Sequence, residues 1–171
     1  ALAELIEGQP VGEKVLVFSE YKDTVDYIAE HLPRWSKRSF GRASGKSGDV
    51  MRIARRFAPH ANEHLGGLPS GETELDVLIT TDVLSEGQNL QDAAIVVNWD
   101  LPWTIIKVIQ RAGRVDRVGQ NAESIRVISF LPHAGVEAII KLRQRLQARL
   151  KNSHQIIGGG EKFFEDDDFT V

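Results

Sequence analysis

The chain has 171 residues, 42% hydrophobic and 26% charged, enough for one domain with its own core. It has no cysteine, which excludes disulfides and thiolate metal sites and fits a reducing cytosol. No apolar run approaches the roughly 20 residues needed to cross a bilayer, and the N-terminus lacks a basic-then-apolar signal pattern, so we expect a soluble cytoplasmic protein with no membrane partner.

Residues 1–13 read as an N-terminal linker, a short helix ALAELIE followed by Gly8, Pro10 and Gly12. KVLVF, 14–18, is β-branched and apolar without alternation, as expected of a strand covered on both faces. From Asp23 to Leu32, Val25, Ile28, Ala29 and Leu32 form one helical stripe that Pro33 stops. A weaker extended stretch from Lys37 to Ala43 leads through SGKSGD to a helix at Val50–Phe57, with Met51, Ile53, Ala54 and Phe57 as inner positions.

Residues 59–74 hold Gly66, Gly67, Pro69, Ser70 and Gly71, an excursion longer than the usual helix-to-strand loop. Leu75–Thr80 and Ala93–Trp99 read as buried strands, and proline in its first turn favours a helix from Pro102 to about Arg114. Ser124–Leu131 is the last expected strand and Gly135–Leu150 a long helix, with Val136, Ile139, Ile140, Leu142, Leu146 and Leu150 inward. The alternation implies an α/β domain over 14–151 with a parallel sheet of about five strands, covered on both faces. A basic stretch at 141–151, KLRQRLQARLK, precedes an acidic tail at 152–171, so the net charge of −3 says little about nucleic acid.

Two motifs are decoys. GRASGKS, Gly41–Ser47, resembles a phosphate-binding P-loop but has one residue too few between its glycine and GKS, and the preceding WSKRSF is a poor buried strand. His60-Ala61-Asn62-Glu63-His64 matches a metal pattern that needs a helix, yet it lies between a proline and two glycines; a solvated loop and no metal site are expected.

QRAGRVDRVGQ, 110–120, is more specific: Gln110, Gly113, Arg114 and Arg117 are expected on or near one helix face. A guanidinium is always charged and presents a rigid fork suited to phosphate oxygens. A solvated basic helix paired with Asp100 or Asp116 is the competing reading for an isolated R-x-x-R.

The run Val77–Gln120 resembles the second RecA-like lobe of superfamily 2 helicases, and most of all that of Swi/Snf-type ATPases and their bacterial relatives. TTDVLSEGQNLQDA is similar to motif V and QRAGRVDRVGQ to motif VI, while KVLVFSEYKDT is similar to motif IV and SGKSGDVMRIARRF to the loop and helix after the second strand. The resemblance covers about residues 12–132. It departs where Trp103-Thr104-Ile105 stands in place of the Swi/Snf Trp-Asn-Pro and where RAGRVDR is closer to the bacterial branch, which argues against a chromatin role.

The resemblance implies a RecA-like sheet of five to six strands without its own P-loop. It implies that Arg114 and Arg117 are arginine fingers on ATP, that Gln110 holds the γ-phosphate or the attacking water, and that Glu86, Gly87 and Asn89 lie beside the nucleotide. Ser44, Gly45, Lys46, Thr80 and Thr81 would bond nucleic-acid phosphates, with duplex DNA as the expected polymer; local capping is the alternative for Thr80 and Thr81. ATP and Mg2+ would be held mainly by the N-terminal RecA-like lobe of the same protein, in the bacterial cytoplasm or nucleoid. The alternative is a catalytically inactive helicase-like module that docks nucleic acid or protein. An unrelated nucleotide-binding or small-molecule enzyme with a doubly wound sheet is disfavoured because FSEYKD follows the first strand where G-x-G-x-x-G is needed.

Overall fold

The computed structural model describes residues 1–44, 50–85, 88–102 and 104–130, all within one compact unit, Ala1–Leu131. The helix expected at Gly135–Leu150 and the acidic tail lie outside the described residues, whereas the last expected strand, Ser124–Leu131, forms over Arg126–Ser129.

Five strands form one sheet: β1 (Lys14–Phe18), β2 (Phe40–Ala43), β3 (Val77–Thr80), β4 (Ala93–Asn98) and β5 (Arg126–Ser129). Their spatial order is β2-β3-β1-β4-β5, and every pairing is parallel. All five residues of the central strand β1 are buried, which explains why KVLVF shows no polar alternation.

The side-chain period of two divides the strands between two cores. On one face Leu16 and Phe18, Leu78 and Val96 join Ala54 and Phe57 of α3 (Val50–Phe57), together with Leu75, Leu84, Leu90 and Val115. On the other, Val15 and Val17, Val77, Ile79, Ile95 and Val97 pack against Val25, Ile28 and Leu32 of α2 (Lys22–His31) and its continuation. The helix expected in ALAELIE forms as α1 (Leu2–Glu7), and it buries Leu2 and Ile6 in this second core.

Several sequence expectations shift. Met51 is exposed, because the inward stripe of α3 is Val50, Ile53, Ala54 and Phe57, and position 51 falls beside the arginines of the outer face. β2 and β3 start later than expected. Ser39 N–H donates to Asp76 Oδ2 at 2.8 Å and Asp76 N–H to Ser39 Oγ at 2.9 Å, a reciprocal cap that occupies the residues just before the ladder.

Gly41, the first glycine of the P-loop look-alike, lies inside β2, where a Cβ would collide with the Leu75 side chain; its role is close packing. The helix expected from Pro102 to Arg114 is shorter. Here α4 runs Ile105–Ala112, after an extended Thr104 (φ −122°, ψ 130°).

Leu78→Ala removes a fully buried side chain from the first core and is expected to cost about 2–5 kcal/mol, read from the urea midpoint of the chain.

Candidate functional site

The carboxyl ends of β1, β3 and β4 converge on a polar network centred on Arg111, in the last turn of α4. Arg111 is 0% exposed, the largest fully buried side chain among the described residues. Its Nε and Nη2 donate to the two carboxylate oxygens of Asp82 at 2.8 and 3.2 Å, and its Nη1 donates to Asn98 Oδ1 at 2.9 Å. The guanidinium also lies 5.1 Å from the centre of the Phe18 ring. Each contact comes from a different strand end, so α4 is pinned to β1, β3 and β4 at once.

Lys107, one turn earlier, donates to Glu20 Oε1 at 2.6 Å and lies 3.7 Å from Asp82. The hydrogen bond to Glu20 is the main cause that raises its pKa above the ordinary lysine value, and the Asp82 carboxylate adds to it. Asp100 closes the network by accepting from Glu20 N–H at 2.9 Å and from the Ser19 hydroxyl.

After α4 the chain leaves the helix. Gly113 N–H bonds back to Ile109 O at 2.8 Å, and Val115 turns into the first core. Gln120 Nε2 donates to Ala93 O at 2.9 Å and Val115 O at 3.1 Å, while Gly119 takes φ +100°. This turn corrects the expectation that Gln110, Arg114 and Arg117 share a helix face. Gln110 is exposed on α4, whereas Arg114, half-buried, and Arg117, exposed, project from the turns beyond it.

Arg117 is steadied by Gly113 O, 3.1 Å from its Nε, and by Asn89 Oδ1, 3.4 Å from its Nη1. The structure therefore brings together Asn89 and Arg117, residues from the two motifs singled out in the sequence. Asn89 also faces the 59–74 excursion: its Nδ2 donates to Ala61 O at 3.3 Å, and its backbone O accepts from Asn62 Nδ2 at 2.8 Å.

The strand ends β2 and β3 place Ser44 and Thr81 side by side, since Ala43 and Thr80 are register partners and Thr81 N–H bonds Ala43 O at 3.2 Å. Thr80 behaves as the capping alternative: it is fully buried, and its hydroxyl donates to Thr81 O at 2.8 Å. Thr81 is half-buried and Ser44 buried. Gly45, Lys46, Glu86 and Gly87 lie outside the described residues. His60 is exposed on a turn and Glu63 and His64 on the short 3-10 helix Glu63–Leu65, and among the described residues no group of three or more metal-ligating side chains comes together. Nor, among those residues, is any helix long and apolar enough to cross a membrane.

Sequence reasoning missed Arg111 as an anchor, with Asp82, Asn98, Lys107 and Asn62. Asn98 did carry a signal: it is the polar residue in an otherwise apolar strand, and a buried amide demands a partner.

Residues 1–119 match the family described as "Helicase conserved C-terminal domain". The chain is similar to the DEAD-box ATP-dependent RNA helicase 14 of Arabidopsis thaliana, with 27% identity over 95% of this chain and 25% of the relative. It is also similar to the ATP-dependent helicase YqhH of Bacillus subtilis, with 30% identity over 77% of this chain and 21% of the relative. It thus spans about a quarter or less of these curated relatives. Among solved structures it resembles the C-terminal part of the Fun30 ATPase domain, with a TM-score of 0.64 and 22% identity over 84% of this chain and 43% of that one.

Arg111→Ala empties a fully buried position and leaves the buried Asn98 amide without this donor, and is expected to cost about 2–4 kcal/mol, whereas Arg117→Ala, at an exposed position, should stay within about 0.5 kcal/mol. Thermal and urea unfolding of the two variants side by side reads the contrast.

Proposed function

Since the chain belongs to the helicase C-terminal domain family, with its RecA-like α/β sheet, we propose that it is the second motor lobe of an ATP-dependent nucleic-acid translocase or helicase. The observation that carries this reading is the contrast between two of the motif arginines, Arg111 and Arg117. Arg111 is committed to the fold, while Arg117 stays exposed, most of its guanidinium donors carry no bond among the described residues, and Gln110 stands exposed nearby in the chain. A forked, always-charged donor left exposed in the turn after α4 fits a phosphate ligand.

In this reading ATP and Mg2+ are held mainly by the first RecA-like lobe. Glu86, Gly87 and Asn89 lie beside the nucleotide, and closure of the two lobes brings Arg114 and Arg117 to the γ-phosphate, where their charge offsets that of the transferring phosphoryl group. Ser44, Gly45, Lys46 and Thr81 follow the nucleic-acid backbone, with Thr80 left to cap the strand end. Alternating closure and opening steps the lobes along the polymer.

The Swi/Snf-type motif pattern favours duplex DNA and a bacterial cytoplasmic or nucleoid setting. RNA is the second polymer to test, because the Arabidopsis relative is named an RNA helicase. ATP hydrolysis measured with duplex DNA and with single-stranded RNA decides between them. An inactive docking module is the competing function, and a parent protein with no hydrolysis under either polymer would establish it.

The isolated chain is expected to show essentially no ATP turnover; robust hydrolysis by pure 1–171 would sink the two-lobe reading. In the parent protein, Arg114→Ala or Arg117→Ala should lower nucleic-acid-stimulated turnover by roughly a thousandfold or more. Unchanged turnover in both variants removes the finger assignment.

A further inference from the structure

The excursion at 59–74 is a built element. Its core is Asn62, 1% exposed, whose Nδ2 donates to Ala58 O at 2.7 Å and to Asn89 O at 2.8 Å. The carbonyl of Asn62 accepts from Leu65 N–H at 2.9 Å and Gly67 N–H at 3.1 Å, so one residue organises both the entry to the excursion and its first turn. Asp92 receives His60 N–H at 2.9 Å and Ala61 N–H at 2.8 Å. The far end is tied to α3 and β1: Arg55 Nε donates to Gly67 O at 2.8 Å, Arg56 pairs with Glu72 at 2.8 Å, and Lys14 pairs with Glu74 at 2.7 Å. The excursion is thus fastened at both ends, with its fixed inner wall against Asn89.

That wall leads to Arg117. Asn89 is held through its own carbonyl by Asn62 and through its Nδ2 by Ala61 O, which leaves its Oδ1 pointing an acceptor at Arg117 Nη1, 3.4 Å away. An amide held at both its backbone and its NH2 group has little freedom to rotate, so its acceptor has a fixed position. Together with Gly113 O it supports two edges of the guanidinium, while the remaining donors carry no bond among the described residues.

We propose that Asn89 and Asn62 are positioning residues for Arg117: the excursion is a strut that sets the orientation of this guanidinium before its phosphate ligand arrives. The inference rests on the motor-lobe reading and names a supporting layer for it. Orientation fixed in advance costs nothing during the reaction, and a misplacement of about 1 Å in such a group can cost roughly a hundredfold in rate.

The test measures nucleic-acid-stimulated ATP hydrolysis by the full parent protein carrying Asn89→Leu, Asn62→Leu and Arg117→Ala, singly and combined. Each asparagine variant is expected to lower kcat roughly ten- to a hundredfold with affinity for the polymer nearly unchanged, and Asn62→Leu, away from the nucleotide, leaves KM for ATP nearly unchanged as well. Adding Asn89→Leu to Arg117→Ala should give no further loss, because the residue being positioned is gone. An Asn89→Leu loss that persists in full in the Arg117→Ala background, or a wild-type kcat in Asn89→Leu, overturns the proposal. Asn62 is buried and its variant can fail to fold; Asn89, half-buried, then carries the test alone. A parent that hydrolyses ATP but is indifferent to Arg117→Ala overturns the finger assignment and this inference with it, and a parent without turnover overturns the motor-lobe reading itself.

Discussion

A positive charge buried without water must be paired on every side, and the arrangement around Arg111 follows from that requirement. Asp82 supplies the countercharge and a two-point geometry, Asn98 supplies a neutral acceptor, and the Phe18 ring supplies an electron-rich face. These partners sit on or just beyond three strands, so the guanidinium is satisfied only when the sheet register and the position of α4 are both correct. An apolar residue of similar volume would be tolerated more easily and would specify less. The pair of buried Arg111 and half-buried Asp82 therefore reads as a device of specificity, fixing the helix that precedes the turn carrying Arg117.

The same side-chain chemistry is divided by solvent into two roles. Arg111 and Arg117 differ by six positions, yet one is sealed and fully committed while the other is exposed and only loosely supported. The break lies at Gly113, where the helix stops and the chain begins the turns that Val115 and Gln120 staple to the first core and to the start of β4. Had α4 continued, Arg114 and Arg117 would have stayed on the helix surface. The turn projects them beyond it, and Asn89 steadies Arg117 from the neighbouring loop.

The sheet and its covering helices were legible in the sequence because burial on both faces leaves unbroken apolar runs such as KVLVF and VLIT, and because α2 repeats its buried residues at helical spacing. Strand ends were less so: the reciprocal bonds between Ser39 and Asp76 depend on two residues far apart in the chain. The site was legible as a set of residue types but not as roles. Spacing alone treats Arg111, Arg114 and Arg117 as equivalents, and only the tertiary position of Asp82 and Asn98 separates the first from the others. Thr80 fell the same way, since its hydroxyl serves Thr81 O locally. Asn62 gave no signal beyond its place in a motif dismissed as a metal decoy, because its value comes from contacts with Asn89, which is remote in sequence.

The two edges of the sheet are held by different kinds of bond. At the amino edge, Lys14 donates to Phe57 O and Glu74, and Ser39 clasps Asp76, so that neighbouring connections are tied to one another beneath the strands. At the carboxyl edge the ties run to α4 through Arg111, whereas the turn after α4 is fastened by Gln120 to the start of β4. A load applied to that turn is passed through Arg111 to three strand ends together, while the opposite edge keeps its own closure. The domain is braced at both edges of its sheet, and the turn that carries the exposed arginine bridges them, from Arg111 at the carboxyl ends to Gln120 at the start of β4.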